Sequence, residues 1–270
     1  MSDIVLSAGV RSNLLNLQQT SDLITTTQTK LATGKRVNSA LDNPTNFFTA
    51  QGLSNRASDL SSLLDAMSTG INTIQAANNG ISAITKLVQS AQSLASQALQ
   101  TSDVTARANL ATQFGAIRTQ IDQLAGDAGF NGINLLNGNN LTVVLNESGT
   151  SSVTVTGVTD TAAGLSIAAA ANTWTLDANI TAAQTNLTAA LGTLRSQAQS
   201  LGSILSTVQI RQDFTKSMIN TLKTGADSLT LADSNEEGAN LLALQTRQQL
   251  STTALSLAAQ ADRNVLRLFG

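Results

Sequence analysis

The two ends of this chain carry the same signal, and it restricts the fold more than any other. Over residues 10–31, Val10, Leu14, Leu17, Ile24 and Leu31 recur on alternating steps of four and three, with Ser21 and Gln28 as polar members. Over residues 239–269, Leu241, Leu244, Ser251, Leu255, Ala258, Val265 and Phe269 keep the same steps, with Gln248 and Asp262 interrupting. Beside this second seam runs another, made of Leu250, Ala254, Leu257, Ala261 and Leu268. One narrow seam is satisfied by a single partner helix; two adjacent seams on one helix require neighbours on more than one side. The spacing therefore predicts terminal helices that pair with each other and are covered further by other subunits.

Composition removes most chemistry. In 270 residues there is no Cys, His or Tyr, one Pro and one Trp. Thiolate and imidazole metal sites, Ser-His-Asp and Cys-His nucleophiles and disulfides are thereby excluded. No catalytic, cofactor-binding or metal residue is expected. Lys and Arg total 15 against 17 Asp and Glu, so a net charge of −2 gives no pull toward nucleic acid or anionic lipid. Charged residues make up only 12%, about half the usual share. A surface so poor in charge resists association weakly, which suits a polymer. The first residues lack the basic start, apolar core and cleavage site of a secretory signal. No apolar run approaches the roughly 20 residues that span a bilayer. Export by a machine that threads unprocessed chains stays open.

Helix dominates the rest. A first helix is expected over about 4–32, capped near Gly34, followed by an aperiodic loop from Gly34 to Asn43. Pro44 suits the first turn of a second helix reaching about Gln100, whose stripe is Leu53, Leu60, Leu64, Met67, Ile71, Ile74, Ile81, Ile84 and Leu94. Gly52, Gly70 and Gly80 weaken it by roughly 1 kcal/mol each relative to Ala. A third helix covers about 104–126. Phe130-Asn131-Gly132 and Asn137-Gly138 signal turns, and the β-rich runs 141–145 and 152–156 form a hairpin with a longer loop. Residues 157–178 are Ala/Thr/Gly-rich and carry no clear period. Helix returns over about 179–222, and a break near Gly225–Gly238 precedes the last helix. The expected fold is mainly α: long antiparallel helical hairpins in a coiled-coil bundle, the terminal helices paired, with a small central β-hairpin insert. Three parts follow: a terminal domain of 1–43 with 231–270, a helical rod of 44–136 with 179–230, and an outer insert of 137–178.

Local patterns that invite chemistry have stronger plain readings. Gly34-Lys35 lacks the preceding Gly and following Ser or Thr of a phosphate loop, since Thr29 and Arg36 stand there. Gly126, Gly129 and Gly132 lack the strand-turn-helix order of a dinucleotide site. Glu236-Glu237 complements a helix dipole. Lys35-Arg36 reads as a solvated or intersubunit loop. The glycosylation triplets at Asn140, Asn146, Asn179 and Asn186 are expected by chance in so Asn/Thr-rich a chain.

Three stretches resemble a family. Asn13-Leu14-Leu15-Asn16-Leu17-Gln18 with Leu31-Ala32-Thr33-Gly34-Lys35-Arg36-Val37-Asn38-Ser39-Ala40-Leu41-Asp42-Asn43-Pro44 looks like the amino-terminal signature of bacterial flagellins. Phe130-Asn131-Gly132-Ile133-Asn134-Leu135-Leu136 resembles their helix-to-hairpin junction. Residues 240–250, Asn-Leu-Leu-Ala-Leu-Gln-Thr-Arg-Gln-Gln-Leu, and 266–270 look like the carboxy-terminal signature. The small insert is most similar to the short flagellins of alphaproteobacteria.

The resemblance implies a non-enzymatic subunit of the extracellular flagellar filament. It implies export without a cleaved signal through a flagellar type III apparatus with a chaperone, and assembly beside cap and hook-junction proteins. It implies no nucleic-acid partner and no membrane insertion. The subunit-interface residues would be Leu14, Leu17, Ile24, Leu31, Leu241, Leu244, Leu250, Leu255, Leu257, Val265 and Leu268. Gly34, Lys35, Arg36, Asn43 and Pro44 would belong to the connecting spoke loop. Many flagellins share a patch read by a vertebrate innate receptor; this chain departs from it with Ser90 and Gln92 in place of arginines and Gln113 in place of an acid. Hook–filament junction proteins share the terminal motifs, and a secreted helical adhesin or effector is the reading from another class. Electron microscopy of purified protein separates the first from a filament subunit, and limited proteolysis the second.

Overall fold

The computed structural model describes residues 8–269, with side chains described except those of Asp262 and residues 265–269. In chain order come α1 (Ala8–Thr33), α2 (Pro44–Leu99), α3 (Val104–Asp127), β1 (Leu141–Val144), β2 (Ser152–Val155), a 3-10 turn (Ala171–Trp174), α4 (Asp177–Thr230) and α5 (Ser234–Phe269). The fold is mainly helical with one small antiparallel hairpin. Two compact units divide it: residues up to Asn55 with those from Thr221, and residues 56–220.

The 56–220 unit is built on heptad steps. Along α2, Met67, Ile71, Ile74, Ala77, Ile81, Ile84, Val88, Ala91, Ala95 and Ala98 are buried at intervals of three and four. On α4, Ile180, Leu187, Leu194, Leu201 and Val208 are buried every seventh residue, the spacing that keeps one stripe facing its neighbours. α3 adds Ala111, Phe114, Ile121 and Ala125. Its start is set by Asp103, whose carboxylate accepts from the backbone N–H groups of Thr105 and Ala106.

The hairpin pairs Leu141 with Val155, Thr142 with Thr154, Val143 with Val153 and Val144 with Ser152. Strand alternation puts Leu141, Val143 and Val155 in the core, while Thr142 and Thr154 face out. Two helix glycines allow this approach. A methyl group on Gly70 would lie 2.6 Å from Val143 Cγ2; one on Gly80 would lie 2.7 Å from both Ala128 Cβ and Leu136 Cδ1. Those glycines are contact points where hairpin and junction lie directly on α2.

The turn Phe130–Ile133 is closed by reciprocal backbone bonds of 2.9 and 3.0 Å, with Asn131 at φ 49° and Gly132 at φ 80°. Asn134 then caps α3, donating from Nδ2 to the carbonyls of Ala125 (2.7 Å) and Gly126 (2.8 Å).

Residues 157–178, aperiodic in sequence, supply buried Ala162, Leu165, Ile167 and Trp174. They are ordered from outside: Ala162 N donates to Asp122 Oδ1 at 2.7 Å, and Arg118 Nε donates to the Ile167 carbonyl at 2.8 Å. Trp174 lies against Phe114 with ring centroids 4.9 Å apart. The expected break near Gly225–Gly238 contracts to three residues, because α4 runs to Thr230 and α5 begins at Ser234. Both glycines are helical, and Gly225 sits where a side chain would approach Leu53 Cδ1 at 3.4 Å.

Candidate functional site: the terminal helix pair

The terminal unit is organised by a polar junction. α1 ends at Gly34, whose φ of 66° gives the left-handed turn that a side chain rarely adopts. The chain then lies along the end of α4: Arg36 N (2.7 Å) and Val37 N (3.2 Å) donate to the Thr230 carbonyl, and Ala232 N donates to the Gly34 carbonyl at 3.0 Å. Arg36 Nη2 donates to the carbonyls of Ser228 (3.4 Å) and Leu229 (3.2 Å), a cation at the negative end of a helix. Arg36 is exposed, as expected of a solvated loop, and it also closes the end of α4. Asp42 accepts at 2.9 Å from the backbone N–H groups of both Asn38 and Ser39, and these bonds hold its carboxyl below the ordinary range. Asn43 Oδ1 accepts from Asn46 N at 2.9 Å, capping α2, with Pro44 as first helical residue.

Across the junction, Lys30 Nζ donates to Glu237 Oε1 at 3.0 Å, and Lys35 bridges Leu231 through the backbone. The end of α1 therefore meets the start of α5, and the two helices pair antiparallel. Asp233 caps α5 through Asn235 N and Glu236 N.

The pair uses only part of its apolar surface. On α1, Val10, Thr20, Ile24 and Thr27 are buried, and Leu17 and Leu31 are half-buried. Thr20 and Thr27 fill steps where the sequence spacing pointed to Ser21 and Gln28. Thr20 can do so because its hydroxyl donates to the Asn16 carbonyl at 2.8 Å within the helix. On α5, Leu241, Leu244, Gln248, Ser251, Leu255 and Ala258 form the half-covered seam. The neighbouring stripe is open: Leu250 is 66% exposed and Leu257 61%. Leu14, Leu15, Leu23 and Leu242 are exposed as well. Val265 and Leu268 lie outside the described side chains.

Ser90 and Gln113 are exposed in the 56–220 unit, whereas Gln92 donates to Thr188 Oγ1 at 3.3 Å. No described helix is long and apolar enough to cross a membrane.

The model of the bacterial flagellin N-terminal helical region matches residues 8–141, and that of the C-terminal helical region matches 175–269. The flagellin FljK of Caulobacter vibrioides is 33% identical over all of this chain and 99% of its own length. This chain belongs to the bacterial flagellins. FljN of the same organism is 34% identical at the same coverage, and the flagellin of Brucella melitensis is 27% identical, again over the whole of this chain. Flagellins are structural proteins that polymerise into the extracellular flagellar filament, and this flagellin is a filament subunit. The sequence reading missed Asn134 and Arg36 as helix-end caps. Their signal is positional: a donor side chain a few residues beyond a helix end, or facing another in space, has no period to reveal it.

Proposed function

We propose that this flagellin polymerises through α1 and α5, whose uncovered apolar stripe is completed by neighbouring subunits. The observation that carries this reading is the exposure of Leu250 and Leu257 beside a seam already occupied by α1. A leucine taken fully from water contributes roughly 1.5–3 kcal/mol, so several per subunit outweigh the ordering of helices that a two-helix pair holds weakly. The inner interface comprises Leu14, Leu17, Ile24, Leu31, Leu241, Leu244, Leu250, Leu255, Leu257, Val265 and Leu268. Residues 1–43 with 231–270 form the inner layer, 44–136 with 179–230 the rod, and 137–178 the outer insert. Gly34, Lys35, Arg36, Asn43 and Pro44 shape the connecting spoke.

Export proceeds unfolded and without a cleaved signal through the flagellar apparatus, with a chaperone, a distal cap and hook-junction proteins as partners. The absence of Cys fits threading, since no disulfide can form before or after passage. Hydrogen exchange on soluble subunit and on filament tests the assembly reading. The expected outcome is fast exchange of α1 and α5 amides in the soluble chain and strong protection in the filament. Equal protection in both states would contradict it.

A further inference from the structure

Asp160 lies within the 56–220 unit, fully buried, and its setting is incomplete as an ionised carboxylate. Gln197 Nε2, from α4, donates to Asp160 Oδ1 at 2.9 Å. The other oxygen of each group, Asp160 Oδ2 and Gln197 Oε1, is buried without a hydrogen-bond partner. Two acceptors on one carboxyl–carboxamide contact are left unsatisfied together, and leaving buried polar atoms unpaired is costly. One proton cures both.

The backbone around Asp160 is held by its own hydrogen bonds. Val158 N donates to the Leu135 carbonyl at 2.7 Å, and Asp160 N to the Leu136 carbonyl at 2.9 Å. Leu165 N donates to the Thr161 carbonyl and Ile167 N to that of Ala162. Gly164 packs so closely on Thr159 that a methyl group would lie 1.9 Å from its carbonyl oxygen. The loop is closed on itself, and the carboxyl is fixed toward α4.

We propose that Asp160 and Gln197 form a neutral carboxylic acid–carboxamide pair, in which Asp160 Oδ2–H donates to Gln197 Oε1 while Gln197 Nε2 donates to Asp160 Oδ1, making a proton-dependent latch between the 157–167 loop and α4. Burial pushes the Asp160 carboxyl above its ordinary range, against the smaller opposing pull of the Gln197 bond. No charged group contributes to that displacement. The ionisable groups on the elements packed around the loop are otherwise engaged or outward-facing. Asp122 of α3 accepts from Ala162 N, Arg118 of α3 donates to the Ile167 carbonyl, and Arg195 of α4 is exposed.

The sign follows from linkage. A carboxyl whose folded value is raised binds its proton more tightly in the folded chain, so the latch is fully present below the unfolded aspartate value. It is lost as pH rises through the folded value. In Asp160→Asn, the amide N–H replaces the acid O–H and keeps both bonds at every pH.

The decisive experiment is a carbon-13 NMR titration of the Asp160 side-chain carboxyl in the full-length soluble chain. It is paired with thermal unfolding of wild type and Asp160→Asn across the same pH range, followed by fluorescence of Trp174. A midpoint above the ordinary aspartate range, with a wild-type stability loss through that midpoint absent in Asp160→Asn, is expected. A midpoint at or below the ordinary range would overturn the proposal, since an ionised carboxylate served by a bridging water or cation titrates there. An unchanged pH dependence in Asp160→Asn would overturn it as well. The wild-type titration decides the matter even if the variant folds poorly.

Discussion

A single buried guanidinium closes the turn between α2 and α3. Arg107 Nε donates to the carbonyls of Ala98 (3.1 Å) and Thr101 (2.6 Å), Nη1 donates to that of Thr175 (3.1 Å), and Nη2 pairs with Asp177. Asp177 is largely exposed, so the three carbonyls, not the ion pair, make this arginine matter. A lysine presents one nitrogen where three separated ones are used. Surface polar residues carry less structure, and the expected departures from the receptor-read flagellin patch fall on three of them. Ser90 and Gln113 face solvent with no charge to offer, and Gln92 is turned toward Thr188. Charge-assisted hydrogen bonds lost at an interface hot spot cost about 2 kcal/mol each, so two together weaken binding by well over about tenfold. A cell reporter assay on soluble chain is expected to show poor activation of the innate receptor that reads other flagellins. Ser90→Arg with Gln113→Glu should raise it; activation by the unaltered chain equal to that of a recognised flagellin would contradict this.

Elements show which physical signals a sequence displays and which it hides. The heptad run on α4 was plain, because Ile180, Leu187, Leu194, Leu201 and Val208 repeat without exception. So was the hairpin, whose alternation matches its register. Gly70 and Gly80 read as weak points of α2, and the structure adds a packing reason for both, since a methyl group there would collide with Val143 or with Ala128 and Leu136. The 157–178 segment hid its order because Asp122, Arg118 and Phe114, all on α3, supply it. At the terminal pair, the two stripes of α5 were legible, but the buried Thr20 and Thr27 were not; Thr20 can fill a seam position because its hydroxyl is satisfied within its own helix. The glycine reading separates two substitutions. Gly80→Ala forces a methyl group onto Ala128 and Leu136 and should cost about 1–3 kcal/mol from overpacking, less the roughly 1 kcal/mol gained in helix propensity. Gly192→Ala, on α4 with nothing within 4 Å of the added carbon, should stabilise by about 0.5–1 kcal/mol. Thermal unfolding followed by Trp174 fluorescence checks both, and equal effects would refute the packing role of Gly80.

The whole molecule divides its apolar surface between two uses. The 56–220 unit buries a continuous core, from Met67 through Trp174 to Val208, and leaves Val104, Leu176, Ile210 and Phe214 exposed. The terminal unit covers one seam and leaves another open along α5, with Leu14, Leu15 and Leu23 open on α1. The proposed assembly predicts a soluble chain that is stable in one unit and weakly held in the other, with neighbours in the polymer covering the open stripe. The most direct test places a carboxylate on the open stripe. Electron microscopy of Leu250→Asp and Leu257→Asp, each first shown by Trp174 fluorescence to keep the 56–220 unit folded, should reveal no filaments where the unaltered chain grows long ones, because the charge would be buried between subunits without a partner. Filaments of normal length and number from both variants would contradict the assignment of that stripe to subunit contact.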